Sequence, residues 1–131
     1  ELMSAKMSSG ELTFLIDAVN KTEKGKYLAV YDQSSSSRVT KSTLIDESGK
    51  SHEVKQVYLW EGDRKTSAYD ANRGIYVEGN QSVTVEMMFN EVPPATQVVK
   101  LLNFYPYTGI RLVFYRWSET DLPFKDIRVG R

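Results

Sequence analysis

Two stretches of this chain alternate between apolar and polar positions. Residues 82–89 (SVTVEMMF) and residues 11–20 (ELTFLIDAVN) place apolar side chains at every second position, although Leu15 and Val19 interrupt the polar face of residues 11–20. Successive side chains of a β-strand point to opposite faces, so this period predicts two half-buried antiparallel strands. Their predicted apolar faces consist of Leu12, Phe14, Ile16, Ala18, Val83, Val85, Met87 and Phe89.

Turn residues separate several further segments with strand character. Gly25 is available for a positive φ in the polar turn at residues 20–26, and Pro93 and Pro94 end the strand at 82–89 because proline cannot donate to a ladder. The Asp46–Lys50 turn predicts a β-hairpin, after which residues 51–60 place His52, Val54, Gln56, Tyr58 and Trp60 on one face. The remaining predicted strands cover residues 26–32, 38–45, 73–77, 96–105, 109–117 and 122–129.

This spacing of turns, with no helical period between them, is typical of an all-β protein. We predict one domain over residues 1–131, an immunoglobulin-like antiparallel β-sandwich of about seven to nine strands. A chain of this length buries enough apolar surface to be stable without a metal or a disulfide. The expected core consists of Leu12, Phe14, Ile16, Leu44, Val54, Val83, Val85, Met87, Phe89, Leu101, Phe104, Leu112 and Phe114.

Charge and cysteine content narrow the possible functions. The chain has 17 basic and 17 acidic residues, so no net charge drives it toward nucleic acid, and we expect no nucleic-acid partner. It has no cysteine, which excludes disulfides, thiolate metal sites and thiol catalysis. No apolar run approaches the roughly 18 residues that span a bilayer, so no transmembrane segment is predicted.

No motif in the chain predicts catalysis. His52 is the only histidine, and we expect it to be an exposed strand residue. The chain contains no G-x-S-x-G motif and no glycine-rich phosphate loop. The turn at Asp46 lacks the alternating oxygen ligands of a calcium loop, so a hairpin turn accounts for it. We therefore predict no catalytic residues, no metal site, no cofactor and no enzymatic activity.

Aromatic side chains are the candidate binding residues. One group, around the last predicted hairpin, consists of Tyr105, Tyr107, Tyr115 and Trp117, and a second consists of Tyr58 and Trp60. Tyrosine and tryptophan combine an apolar body with a polar atom, which favours them in protein interfaces and lets them stack on sugar rings. β-strands are also rich in aromatic residues for packing reasons alone. Core packing, a protein interface and a glycan site therefore remain three open readings.

Three segments resemble the immunoglobulin-like domains of unknown function in bacterial exported proteins and lipoproteins. They are ELTFLIDAVNKTEKGKYL, TLIDESGKSHEV and VEGNQSVTVEMMFNEVPPATQVVKLL. The resemblance covers about two-thirds of the chain and is structural, with no family motif that marks a catalytic site. The shared positions are Asn20 at the end of the early strand, Asp46 and Gly49 in the hairpin, and Gly79, Phe89, Val92 and Pro93 around the later strand.

The resemblance implies an accessory or adhesive domain outside the cytoplasm, in the periplasm or on the cell surface of a bacterium. The chain begins at Glu1 without an initiator methionine, from which we expect a processed product. A protein partner is the leading expectation, with exposed aromatics supplying contact area and edge strands open to strand addition. The alternative is a carbohydrate-binding module in which Tyr105, Tyr107, Tyr115 and Trp117 form a stacking platform.

Overall fold

The computed structural model describes residues 1–32, 40–68, 74–110, 113–117 and 122–131. Within these residues all regular secondary structure is β-strand and none is helix, so the predicted all-β class is confirmed. The structure describes 13 strands, more than the predicted number of about seven to nine. They are β1 Leu2–Ser8, β2 Glu11–Val19, β3 Lys26–Leu28, β4 Thr43–Ile45, β5 Ser51–Glu53, β6 Gln56–Glu61, β7 Arg64–Ser67, β8 Ile75–Val77, β9 Ser82–Phe89, β10 Val98–Phe104, β11 Tyr107–Ile110, β12 Val113–Arg116 and β13 Leu122–Arg128.

The two strands with the clearest alternation lie side by side in the larger sheet. This five-stranded antiparallel sheet has the order β1-β2-β9-β6-β7. β2 and β9 pair from Leu12 opposite Phe89 to Val19 opposite Ser82. The apolar faces predicted for both strands are buried, and the Phe14 and Phe89 rings meet edge to face at 5.7 Å. The period of two therefore assigned the buried face of each strand correctly.

A four-stranded sheet of order β13-β10-β4-β5 supplies the other side of the core. Leu44, Val99 and Leu102 of this sheet belong to the same cluster of buried side chains as Phe14 of β2. The two sheets also join along one edge. The Met7 amide donates to the Gly130 carbonyl at 2.9 Å, and the Gly130 amide donates to the Ala5 carbonyl at 2.8 Å.

Two small sheets, β3-β8 and β11-β12, complete the described strands. A pair of backbone hydrogen bonds between Ala29 and Tyr107, both 2.8 Å long, connects them. Gly25, in the turn before β3, does not have the positive φ that was expected. Its role is close approach, because a Cβ at Gly25 would overlap the Tyr76 hydroxyl.

The prediction of a single strand at residues 51–60 is wrong, because this segment crosses between the two larger sheets. The Val54 amide donates to the Ser42 carbonyl at 2.9 Å, and the next amide, that of Lys55, donates to the Met88 carbonyl at 2.8 Å. β5 therefore belongs to the four-stranded sheet and β6 to the five-stranded sheet. The crossing also changes the parity, so Val57 and Leu59 are the buried residues of β6.

Two other details of the prediction also change. Residues 109–117 do not form one strand, because β11 and β12 pair as a hairpin in which Tyr107 lies opposite Arg116. Leu101 is half-buried and its neighbour Leu102 is the core residue. Leu112 and the Phe114 side chain, both expected in the core, lie outside the described part of the chain. The other expected core residues are all buried.

A buried amide ties the end of β2 to the turn that follows it and to β8. The Asn20 side chain is fully buried. Its Nδ2 donates to the carbonyls of Lys24 at 2.9 Å and Val77 at 3.0 Å, with a longer contact of 3.3 Å to Glu78. Its Oδ1 accepts from the Thr22 amide at 3.1 Å and the Thr22 hydroxyl at 2.6 Å.

Asn20→Asp is expected to lower the free energy of unfolding by about 3 kcal/mol, because a carboxylate cannot donate to the carbonyls around it and is buried beside them. Urea denaturation measures this loss. The matched control is Asn80→Asp at an exposed position with a φ of 61°, a conformation that aspartate also adopts. Equal unfolding free energies for the two variants would contradict the role of the Asn20 amide.

Candidate functional site

The aromatic group around the last hairpin does not form an exposed row. Tyr107 is 6% exposed and Trp117 is 9% exposed. The Tyr107 hydroxyl accepts from the Thr40 amide at 2.9 Å, and its ring packs edge-on against Tyr31. Replacing Tyr107 or Trp117 by alanine would therefore perturb packing and could not report on binding alone.

The other two members of this group are more accessible, but they differ in exposure. Tyr105 is half-buried, and the Arg116 guanidinium lies 5.1 Å from its ring centroid. Tyr115 is 65% exposed, the largest exposure among the bulky apolar and aromatic side chains that the structure describes. These four residues therefore do not form a stacking platform.

Tyr58 and Trp60 lie on a continuous surface, which we call the outer face of the five-stranded sheet. Both rings project from β6 on the side opposite the core, and both are half-buried. Directly paired residues in neighbouring strands share a face, so the register places the outer-face residues in rows. One row runs Leu15, Glu86, Tyr58 and Ser67, the next runs Asp17, Thr84, Trp60 and Lys65, and a third runs Thr13, Met88 and Gln56.

Lys65 covers part of both rings on the outer face. Its Nζ lies 4.0 Å from the Tyr58 centroid and 5.4 Å from the Trp60 centroid, which are cation–π distances. The same ammonium lies 3.8 Å from a carboxylate oxygen of Glu86. The Lys65 side chain is 42% exposed, so solvent screens this ion pair and a partner could displace it at small cost.

A cleft of about 460 Å³ opens between the two larger sheets at the C-terminal end of β2, where four consecutive residues of this strand, Ile16, Asp17, Ala18 and Val19, line it. Its size lies within the range of ligand pockets. The apolar lining comes from β2, from Trp117 and from the paired strands β10 and β13. The charged lining comes from Glu1, from Asp17 of β2, from Lys21 and from Lys26 of β3. The lining residues are Glu1, Ile16, Asp17, Ala18, Val19, Lys21, Thr22, Lys26, Phe104, Trp117, Leu122 and Phe124.

Lys26 and Trp117 contact each other in this cleft. The Lys26 Nζ lies 3.9 Å from the Trp117 ring centroid and donates to the Trp117 carbonyl at 3.1 Å. Burial lowers the pKa of Lys26, because desolvation disfavours the charged ammonium. No carboxylate in the described ranges forms an ion pair with Lys26. Among the described residues, the Lys26 ammonium thus contacts the ring and the carbonyl of Trp117 and no carboxylate.

The prediction that His52 is exposed is wrong. His52 is 9% exposed and its Nε2 lies 2.8 Å from Oδ2 of Asp46, which is itself fully buried. The register explains the burial, because His52 lies directly opposite the core residue Leu44. The other Asp46 oxygen accepts from the Ser48 amide at 2.9 Å, the Ser48 hydroxyl at 2.6 Å and the Lys50 amide at 3.0 Å.

These bonds determine the protonation of Asp46. Burial alone would raise its pKa, but hydrogen bonds from the side chains of Ser48 and His52 and from the backbone of Lys50 and Ser48 outweigh it, so the pKa lies well below its ordinary value. The carboxylate is thus ionised and fully engaged within the hairpin. The cleft described above does not include His52, and the described residues hold no cluster of metal-ligating side chains.

Comparison with known proteins identified no protein that is similar to this chain. The scan against protein-family models found no match, and the searches of curated proteins and of solved structures found none either. In the described part of the chain, no helix is long and apolar enough to cross a membrane.

Sequence reasoning identified Tyr58, Trp60 and Trp117 as candidates but missed Lys26, Phe124 and the buried pair of Asp46 and His52. The Asp-x-Ser-Gly pattern before a strand was the available signal for the Asp46 hydrogen bonds, since aspartate commonly accepts from amides two residues ahead. Nothing local indicates that Lys26 lies over Trp117, because 91 residues separate them.

The buried Asp46 predicts a specific loss of stability in acid. Because its folded pKa is depressed, its contribution is complete above the unfolded value of about 3.9 and is lost as pH falls through the folded pKa. Asp46→Asn should lower the unfolding free energy by roughly 2 kcal/mol at about pH 5, and this difference should shrink at about pH 3. Urea denaturation at both pH values measures it.

Glu47→Gln, at the adjacent exposed position, is the control and should change stability by less than about 0.5 kcal/mol at either pH. A difference between wild type and Asp46→Asn that does not change with pH would show that the Asp46 charge contributes nothing.

Proposed function

We propose that this chain is a non-enzymatic interaction domain that acts outside the cytoplasm, as part of a bacterial envelope protein, and that it binds a protein partner through the outer face of the five-stranded sheet. An immunoglobulin-like sandwich is the architecture that we propose for it. The observation that carries the proposal is the aromatic and apolar strip on that face, to which Leu15, Tyr58, Trp60 and Met88 contribute from three adjacent strands.

The composition of the outer face matches that of protein interfaces. Tyrosine, tryptophan and methionine are enriched in interface centres, and tryptophan and tyrosine are common among the residues with the largest binding energies. The charged residues Lys65 and Glu86 lie among them, with 3.8 Å between the Lys65 Nζ and a carboxylate oxygen of Glu86. Such charges set the orientation of a partner more than its affinity.

The sheet edges support side-chain recognition better than strand addition. β5 at one edge has three residues, and β7 at another begins with Arg64 and Lys65. The edge strand β13 contains Pro123 and a left-handed residue, Asp126, with a φ of 51°. Short edges, charges, proline and irregular backbone are the features that protect strands from pairing with another chain.

The non-enzymatic part of the proposal is supported by the placement of His52. Its Nε2 faces the fully buried Asp46 carboxylate, and the described cleft lies elsewhere. A general acid or base has to reach a substrate proton within hydrogen-bond distance. The hydrogen bonds around Asp46 instead stabilise the turn of the β4–β5 hairpin.

A carbohydrate-binding module is the second candidate, and one observation favours it. Tyr58 and Trp60 project from the same face of one strand, roughly 7 Å apart along it, with polar neighbours at hydrogen-bonding positions. Those neighbours are Gln56, which donates to the Tyr58 hydroxyl, and Thr84, which lies opposite Trp60. A sugar chain lying along β6 would meet two rings and several hydrogen-bonding groups.

Site-specific photo-crosslinking tests the protein-binding proposal. A crosslinking side chain at Thr84, in the row of Trp60, is expected to form a discrete adduct with one envelope protein, and Trp60→Ala should weaken that complex by about 2 kcal/mol. The control site is Lys100, which is exposed on β10 in the other large sheet. Adducts of equal yield from both sites, or none from Thr84, would refute the outer face as the binding surface.

A glycan array on the purified chain tests the second candidate. Saturable binding that disappears with Trp60→Ala and persists with Tyr115→Ala would establish a sugar site on the outer face, since Tyr115 is the more exposed ring but lies on the small hairpin. Binding that survives Trp60→Ala, or a blank array, would remove this candidate.

A further inference from the structure

We propose that the cleft between the two larger sheets binds a small amphipathic monocarboxylate, with its apolar chain against Phe104, Trp117 and Phe124 and its carboxylate on the Lys26 ammonium. The cleft shares Asp17 with one row of the outer face, but none of the residues that carry the partner-binding proposal lines it: Leu15, Tyr58, Trp60 and Met88 all lie outside the cleft. The proposal therefore stands or falls independently of the partner-binding function.

The apolar part of the ligand is indicated by the walls of the cleft. Phe104 and Trp117 are buried, and Leu122 and Phe124 are half-buried, so most of their surface is already removed from water. An apolar chain of matching size would cover what remains, and each buried methylene contributes about 0.8 kcal/mol. A cleft of about 460 Å³ accommodates a small molecule, not a protein segment with side chains on both faces.

The charge of the ligand is indicated by Lys26. Its ammonium carries three donors, one of which goes to the Trp117 carbonyl, and burial disfavours its charge. A second lysine, Lys21, lies on the exposed rim of the same cleft. Glu1 and Asp17 also bring carboxylates to the lining, and neither of them forms an ion pair with Lys26. Among the described residues only Trp117 accepts from Lys26, so a bound carboxylate would accept from its remaining donors and pair with its charge.

Fluorescence titration of the full chain tests the proposal. Of the two tryptophans, Trp60 is replaced by phenylalanine, so that Trp117 in the cleft reports alone. Decanoate is expected to change the Trp117 emission saturably and to bind at least about tenfold more tightly than decanol, which has the same chain without the charge. Decyltrimethylammonium, with the opposite charge, is expected to bind more weakly than decanol.

Two lysine variants identify the charge that is responsible. Lys26→Met keeps an unbranched side chain and should make decanoate and decanol bind equally, whereas Lys26→Arg should keep the preference. Lys65→Met is the matched control, since Lys65 also lies over aromatic rings but outside the cleft, and it should leave the preference unchanged. Circular dichroism establishes that each variant folds.

Three outcomes would overturn the proposal. The first is the absence of a saturable change in Trp117 emission with decanoate. The second is equal affinity for decanoate and decanol in the parent chain, which would show a merely apolar cleft. The third is a preference for decanoate that survives Lys26→Met in a folded variant, which would place the carboxylate elsewhere. The first two outcomes need no lysine variant, so the test holds even if Lys26→Met fails to fold.

Discussion

The pairing of β2 with β9 is the constraint on which the rest of this structure depends. Along eight consecutive pairs, from Leu12–Phe89 to Val19–Ser82, every apolar pair faces the core and every intervening pair faces outward. A slip of one residue would expose Phe14 and bury the outward residues, so the register is specified by burial itself. β1 and β6 attach to the two outer sides of this pair, and the rows of the outer face follow from the same register.

Local alternation predicted the strands of this pair and the hairpin at Asp46, because their periodicity and turn residues are contained in short segments. It did not predict the crossing at Val54 and Lys55, where the polar and apolar residues continue without a turn residue. The change of sheet is decided by two carbonyls that are remote in sequence, those of Ser42 and Met88. The parity of Tyr58 and Trp60 therefore depended on long-range partners, which is why their exposed side could not be read from the segment itself.

Asn20 and Asp46 show the same difference between local chemistry and burial. Both residue types favour turns because their side chains bond to nearby amides, and both occur where turns were predicted. Their full burial is a tertiary effect: Asn20 reaches the Val77 carbonyl 57 residues away, and Asp46 meets a histidine that the β4–β5 register turns inward. Both polar atoms of each side chain have hydrogen-bond partners, so each residue stabilises a strand end without creating a reactive group.

Lys26 and Lys65 share one geometry and differ in the property that matters for binding. Each ammonium lies about 4 Å from an aromatic centroid. Lys65 is 42% exposed and has Glu86 at 3.8 Å, so its charge is both hydrated and paired. Lys26 is half-buried against Trp117 and has no carboxylate partner among the described residues. Desolvation disfavours the charged ammonium of Lys26, and a bound anion would offset that cost. The sequence pattern could suggest the aromatic members of both sites, but only the three-dimensional placement shows that Lys65 lies over rings on the outer face and that Lys26 lies over a ring that lines a cleft.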